Sequence, residues 1–154
     1  MVKIYTGADN DCWVLHEDTI CHYSEYFKIV FQGAFAEATQ KSIALEEDDS
    51  AIFGYFVDWI YSGSVRCKLS DDQLHKNQGK EHFMLYIRLE IFADKYQMNG
   101  LSACATDRWS KCHSRNGQSD YGKPFVEEIK LIYEDCPRKS SLRPRVVAAV
   151  LKYT

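Results

Sequence analysis

No stretch of this sequence stays apolar for anything near the roughly 20 residues that a membrane-spanning helix requires, so no membrane association is expected. The chain opens Met1-Val2-Lys3-Ile4-Tyr5, without a basic leader ahead of an apolar block, and no secretory signal is expected from such a start. An excess of positive charge is missing too: 19 Lys and Arg stand against 22 Asp and Glu, a net charge of −3. A mildly acidic surface repels phosphate backbones, which argues against a dedicated nucleic-acid binder. The glycines, at 7, 33, 54, 63, 79, 100, 117 and 122, fall one at a time and form neither a phosphate loop nor a dinucleotide fingerprint. His-Glu-x-x-His and the nucleophile elbow are absent as well. Nothing in the chain argues for catalysis, and no cofactor is expected.

Paired cysteines are also lacking. Of Cys12, Cys21, Cys67, Cys104, Cys112 and Cys136, no two form a Cys-x-x-Cys motif, and a disulfide framework belongs to short secreted chains. The expectation is reduced thiols, several buried as small apolar groups. Zinc needs four ligands at close spacing. The nearest set is Cys104 with Cys112-His113, and no metal is expected there. The histidines, His16, His22, His75, His82 and His113, are dispersed. His16 has two readings, a hydrogen-bonded structural side chain or a base, of which the first is the commoner. The acidic run Glu46-Glu47-Asp48-Asp49 lacks the alternating ligands of a calcium loop, and anionic side chains favour a helix N-terminus, so it reads as a cap.

What is present is enough apolar material for a core. Apolar residues make up 45% of 154, more than a disordered segment carries and suited to one domain, or one domain with a helical appendage. The expected setting is intracellular, in cytoplasm, nucleus or both. Val2 and Ile4, then Trp13 and Leu15, alternate with their neighbours across turn residues Gly7 to Asp11, which predicts an antiparallel hairpin. Ser42 to Leu45 suggests a third strand. Tyr23, Phe27 and Phe31 recur at four-residue intervals over Ile20 to Phe31, which predicts a helix stopped by Gly33. Ile52, Phe53, Phe56, Val57 and Ile60 mark a second, capped by Asp49 or Ser50 and ended by Gly63. Leu85, Leu89, Phe92 and Tyr96 stripe a third from Phe83, after a polar connection over 64–82. Asn99 is placed to cap a fourth bearing Leu101, Ala105 and Trp109. Beyond a linker at 114–123, Pro124 fits a first helical turn, with Phe125, Ile129, Ile132 and Tyr133 as the apolar stripe. After Cys136-Pro137, Ser141 caps a last helix with Val146, Val147, Val150 and Leu151 facing inward.

Five pieces in this order carry a resemblance. The first is Trp13-Val14-Leu15-His16, followed by Ser24 and Phe27. Next come Phe31-Gln32-Gly33 and Phe35-Ala36-Glu37, then the strand Ser42 to Leu45 with its acidic turn. Phe53, Phe56, Trp59, Tyr61 and Gly63 follow, and last Ala93-Asp94-Lys95-Tyr96. Together they resemble the BTB/POZ domain, particularly the short stand-alone BTB proteins of filamentous fungi, over roughly residues 2–113. The resemblance implies an α+β fold, a small three-stranded sheet flanked by helices. It divides the chain into a BTB/POZ domain at 1–113, a linker at 114–123 and a C-terminal helical pair at 124–154. His16, Ser24, Phe27, Trp59, Asp94 and Tyr96 are its structural signature.

The resemblance implies a non-enzymatic module that binds other proteins and, more specifically, an adaptor for a cullin-3 ubiquitin ligase. Such adaptors carry a hydrophobic-x-Glu motif after the second helix, and Phe35 and Glu37 match it. Phe35 would be an aromatic anchor in a partner pocket; the plainer reading has it cover the core edge while Glu37 is solvated. The 124–152 helices resemble those that enlarge the scaffold contact. Glu17 stands where the family usually has a basic residue near the dimer seam, so a monomer or weak homodimer is expected. A role with chromatin or transcription factors is the alternative, resting on Arg138, Lys139, Arg143, Arg145 and Lys152 in a tail without acidic partners; a solvated helix face explains them as well.

Overall fold

The computed structural model describes residues 1–67, 79–115 and 124–152. Among them lie strands β1 (Val2–Thr6), β2 (Asp11–Leu15) and β3 (Ser42–Leu45). Eight helices are described: α1 (Glu17–Tyr23), α2 (Glu25–Gln32), α3 (Ala36–Gln40), α4 (Ser50–Ser62), α5 (Gly79–Lys95), α6 (Asn99–Arg115), α7 (Val126–Glu134) and α8 (Leu142–Lys152). This is the α+β plan of a small sheet with helices and a C-terminal helical pair. Two compact units share it, Met1–Ser64 with Phe92–Gly100, and Val65–Ile91 with Leu101–Thr154. None of the described helices is long and apolar enough to cross a membrane.

In the first unit the strand order is β2-β1-β3. β1 pairs antiparallel with β2, placing Ile4 opposite Trp13, and parallel with β3, placing Ile4 opposite Ile43. Alternation puts Val2, Ile4 and Thr6 inside, because successive strand side chains point to opposite faces. Thr6 is buried yet satisfied: its Oγ1 accepts from Trp13 Nε1 at 2.9 Å and meets Ser50 Oγ at 2.9 Å. Buried hydroxyls without such partners are costly.

The helix predicted over Ile20 to Phe31 is two helices. Ser24 is extended (φ −134°, ψ 116°) and its Oγ accepts from the Phe27 amide, so its capping chemistry outweighs the continuous four-residue apolar period. The same Oγ donates to the Tyr96 carbonyl at 2.8 Å. Asp49 caps α4, its Oδ1 accepting from the Ala51 and Ile52 amides at 2.7 and 3.2 Å. Gly63 ends α4 at φ 76°, a left-handed conformation that glycine adopts without strain. Gly100 serves a different purpose, since a Cβ there would stand 2.9 Å from Trp59 Cζ2. Inside lies an aromatic cluster in which Phe56 meets Phe27, Phe53 and Phe92 at centroid separations of 6.1, 5.2 and 5.6 Å.

The second unit is helical. Phe83, Tyr86, Ile87, Leu89, Leu101, Ala105, Trp109, Ile132, Leu142 and Val146 are buried. α5 begins at Gly79, inside the stretch expected as a connection; the rest of that stretch from 68, and most of the expected linker, lie outside the described residues. α6 takes in Asn99 as a helical residue instead of leaving it as the cap. α7 starts at Val126 with Phe125 as N-cap, so Pro124 precedes the helix. Its inward face is Glu128 and Ile132, one turn apart, while Tyr133 is exposed.

Glu128 takes that place because three donors meet it. Its Oε1 accepts from Trp109 Nε1 at 3.0 Å and pairs with His113 Nε2 at 2.9 Å. Its Oε2 accepts from the Phe125 amide at 2.7 Å. Glu90, also buried, accepts from Ser102 Oγ at 2.6 Å and Ser140 Oγ at 3.2 Å. At the start of α8, Ser140 Oγ accepts from the Leu142 amide at 3.3 Å, in the capping role assigned to Ser141. α8 buries Leu142 and Val146, but Val147 is 45% and Leu151 68% exposed. Those two were expected inward; the helix turns its single buried stripe along 142 and 146, and the second pair of apolar residues lies off it.

Candidate protein-interaction surface

Between α2 and β3 the chain makes a short outward excursion. Gly33 lies so close to the Ile29 carbonyl oxygen that a Cβ would collide with it. Phe35 is extended and serves as N-cap of α3 without a side-chain cap bond. The helix lasts five residues and closes at Lys41, left-handed at φ 53°. Lys41 then fixes the base of the excursion. Its Nζ donates to Glu17 Oε1 at 2.9 Å and to the Phe31 carbonyl at 3.0 Å, and its carbonyl accepts from the Lys3 amide at 2.9 Å.

On this pinned base Phe35 is 57% exposed, and Glu37 is half-buried in the first turn of α3. The arrangement presents an aromatic ring to solvent with a carboxylate two residues on. Glu17, the departure from the expected basic residue, is the partner of Lys41. That pairing joins residues 24 apart in sequence, and no local pattern announces it.

Of the remaining signature residues, His16, Ser24, Phe27, Trp59 and Tyr96 hold the framework. His16 caps no helix amide; its Nδ1 lies 2.9 Å from the Tyr61 hydroxyl, which also accepts from the His16 amide at 3.2 Å. Trp59 is buried and meets Tyr23 edge-on at 4.9 Å. Phe27 is fully buried and stacks on Tyr96 at 5.2 Å. Tyr96 donates its hydroxyl to Asp48 Oδ2 in a short hydrogen bond, and Lys95 Nζ reaches the same carboxylate at 3.1 Å. Burial first, then the bond to Asp48, push the Tyr96 phenol well above its ordinary range. Asp94 is exposed.

An open groove of about 310 Å³ on α1 and α2 is lined by Asp18, Cys21, His22, Glu25, Lys28 and Gln32. Burial, then Glu17 and Asp18, push the Cys21 thiol up. No group of three His, Cys, Asp or Glu fit to hold a metal ion occurs among the described residues. His113 is engaged by Glu128, and burial pushes the Cys112 thiol up to about 12.

The fold and its sequence belong together: residues 14–108, more than half the chain, match the BTB/POZ domain family, and the chain belongs to that family. A comparison with curated proteins gives no match. The matched segment runs from β2 into α6 and includes Phe35, Glu37 and all six signature residues. BTB/POZ domains are protein–protein interaction modules that often oligomerise, and this chain carries one.

Proposed function

We propose that the Phe35–Glu37 excursion is the partner-binding element of this module, and that the partner is a cullin-3-type scaffold, making the chain an adaptor of a ubiquitin ligase. The observation that carries the reading is an aromatic ring 57% exposed on a base pinned by Lys41. A rigid base keeps the ordering cost of binding low, and an aromatic anchor buried in a partner commonly contributes about 2 kcal/mol or more. An adaptor of this kind would act in the cytoplasm, the nucleus or both. Self-association is weak in this reading, because Glu17 is engaged within its own chain; a dimer that survives nanomolar dilution in light scattering would contradict it.

Calorimetry against a purified cullin-3 N-terminal domain tests the adaptor role. Phe35→Ala should weaken binding at least about tenfold with little change in melting temperature. Glu37→Ala should do less, acting on association rate and salt dependence. A large fall in melting temperature for Phe35→Ala would reassign the ring to its own domain. No heat from the unaltered protein at tens of micromolar would end the cullin reading. The chromatin alternative has less support. Arg143 donates to the carbonyls of Tyr133, Cys136 and Pro137, and Arg145 to the Thr106 carbonyl and Ser110 Oγ, so both arginines are engaged by their own chain.

A further inference from the structure

The chain between α7 and α8 opens the cationic tail, in which no Asp or Glu occurs from Pro137 to Thr154. Its run Arg138-Lys139-Ser140-Ser141-Leu142 sets basic residues three and two places ahead of Ser141 and an apolar residue directly after it. No other serine or threonine of the sequence has a basic residue at both of those places. The structure separates the two adjacent serines. Ser140 is buried, and its Oγ donates to Glu90 Oε1 at 3.2 Å and accepts from the Leu142 amide at 3.3 Å. With the cap taken by Ser140, Ser141 is exposed, and its hydroxyl makes no hydrogen bond among the described residues. Arg138 and Lys139 are exposed as well. The turn that follows is weakly closed. The Arg143 amide meets the Ser140 carbonyl at 3.3 Å and the Arg145 amide meets the Ser141 carbonyl at 3.4 Å, longer than the usual spacing of about 2.9–3.0 Å. Between them Pro144 has no N–H to give. Helix ends fray through such turns, and opening this one releases Leu142, which is buried when the turn is closed.

We propose that Ser141 is a phosphorylation site, modified by a serine/threonine kinase with an acidic substrate cleft. Carboxylates of the cleft pair with Arg138 and Lys139, whose charges no acidic residue of the tail offsets. Leu142, freed as the first turn of α8 opens, supplies the apolar contact after the acceptor serine. The Ser141 hydroxyl oxygen attacks the γ-phosphorus of a nucleoside triphosphate held by the kinase. The new O–P bond forms as the bond to the β,γ-bridging oxygen breaks, and the nucleoside diphosphate leaves with that electron pair. The hydroxyl proton passes to the catalytic carboxylate of the kinase. Phosphoserine adds about −1.5 to −2 of charge, the first negative charge in a tail of five cations.

The full chain incubated with Mg-ATP and the catalytic subunit of a cyclic-nucleotide-dependent protein kinase, an enzyme that selects paired basic residues ahead of serine, tests this. Mass spectrometry of the intact chain and of its peptides reads the extent, the rate and the position. The chain should gain the mass of one phosphoryl group, carried by Ser141. Ser141→Ala, a change at an exposed position that leaves the fold intact, should abolish the gain. Replacing Arg138 and Lys139 together by Ala should slow it at least about tenfold, since the paired charges select the site, with the melting temperature unchanged. Phosphate on other residues while Ser141 stays unmodified would overturn the proposal. So would no incorporation into the full chain, or an undiminished rate in the Arg138→Ala, Lys139→Ala variant.

Discussion

Tyr96 and Asp48 are joined by a short hydrogen bond across the first unit, tying the end of α5 to the turn between β3 and α4. The carboxylate also receives Lys95, while the Tyr96 carbonyl receives Ser24 Oγ. Hydrogen bonds to charged groups contribute about 1.5–3 kcal/mol. Tyr96→Phe should therefore lower the free energy of unfolding in urea by that amount. The phenylalanine keeps the stacking on Phe27, so a loss under about 0.5 kcal/mol would show that the ring alone matters.

Phe56 lies at the centre of the aromatic cluster and is fully buried. Phe56→Ala leaves a cavity among Phe27, Phe53 and Phe92, and should cost about 3–5 kcal/mol. Urea denaturation checks it through a lower midpoint at unchanged slope.

Glu128 is a buried carboxylate satisfied by Trp109, His113 and the Phe125 amide. Removing it takes away the acceptor that all three share. Breaking a buried, hydrogen-bonded charge in this way costs about 3–5 kcal/mol, so Glu128→Ala should be that destabilising. Glu134→Ala, at an exposed position of the same helix, should stay within about 0.5 kcal/mol. Equal effects of the two in denaturation would refute the role given to Glu128.

Alkaline conditions should weaken the fold through Cys112. Burial, then Cys67, push its thiol from 9.0 up to about 12. The folded state then keeps a proton that the unfolded chain releases. Stability from this group is full below pH 9.0 and falls as pH rises toward about 12, because over that interval the unfolded state binds fewer protons. Cys112→Ala removes the group, so the gap in urea midpoint between the unaltered protein and the variant should narrow across this range. A constant gap would show that Cys112 does not contribute.

Much of the first unit was legible because its signals are local. The hairpin alternation, Asp49 ahead of an apolar stripe and Gly63 after it act through the nearest few residues. The Ser24 break escaped because the apolar period of Tyr23, Phe27 and Phe31 is continuous through it; only Tyr96, distant in sequence, gives the serine hydroxyl its second partner. The parallel pairing of β1 with β3 escaped for a like reason, since a strand's own residues do not name its neighbour. At the candidate site, Phe35 and Glu37 were marked only by the resemblance to the BTB/POZ adaptor motif, and their support from Lys41 and Glu17 is a long-range pairing. In the second unit Glu128 reads as an ordinary helix-start carboxylate, and its burial depends on Trp109 and His113 arriving from another helix. Val147 and Leu151 misled because an apolar residue on an amphipathic helix is free to sit outside the stripe that packs.

The middle strand of the sheet is the one synthesised first. β1 holds Ile4 between Trp13 and Ile43, so as the chain leaves the ribosome one side of β1 is closed almost at once by β2. Its other edge stays open until α1, α2, α3 and then β3 have emerged. Through that interval the nascent hairpin exposes a row of amide and carbonyl groups that another chain could pair with. Pairing of that edge therefore waits for residue 43, the partner of Ile4 on β3.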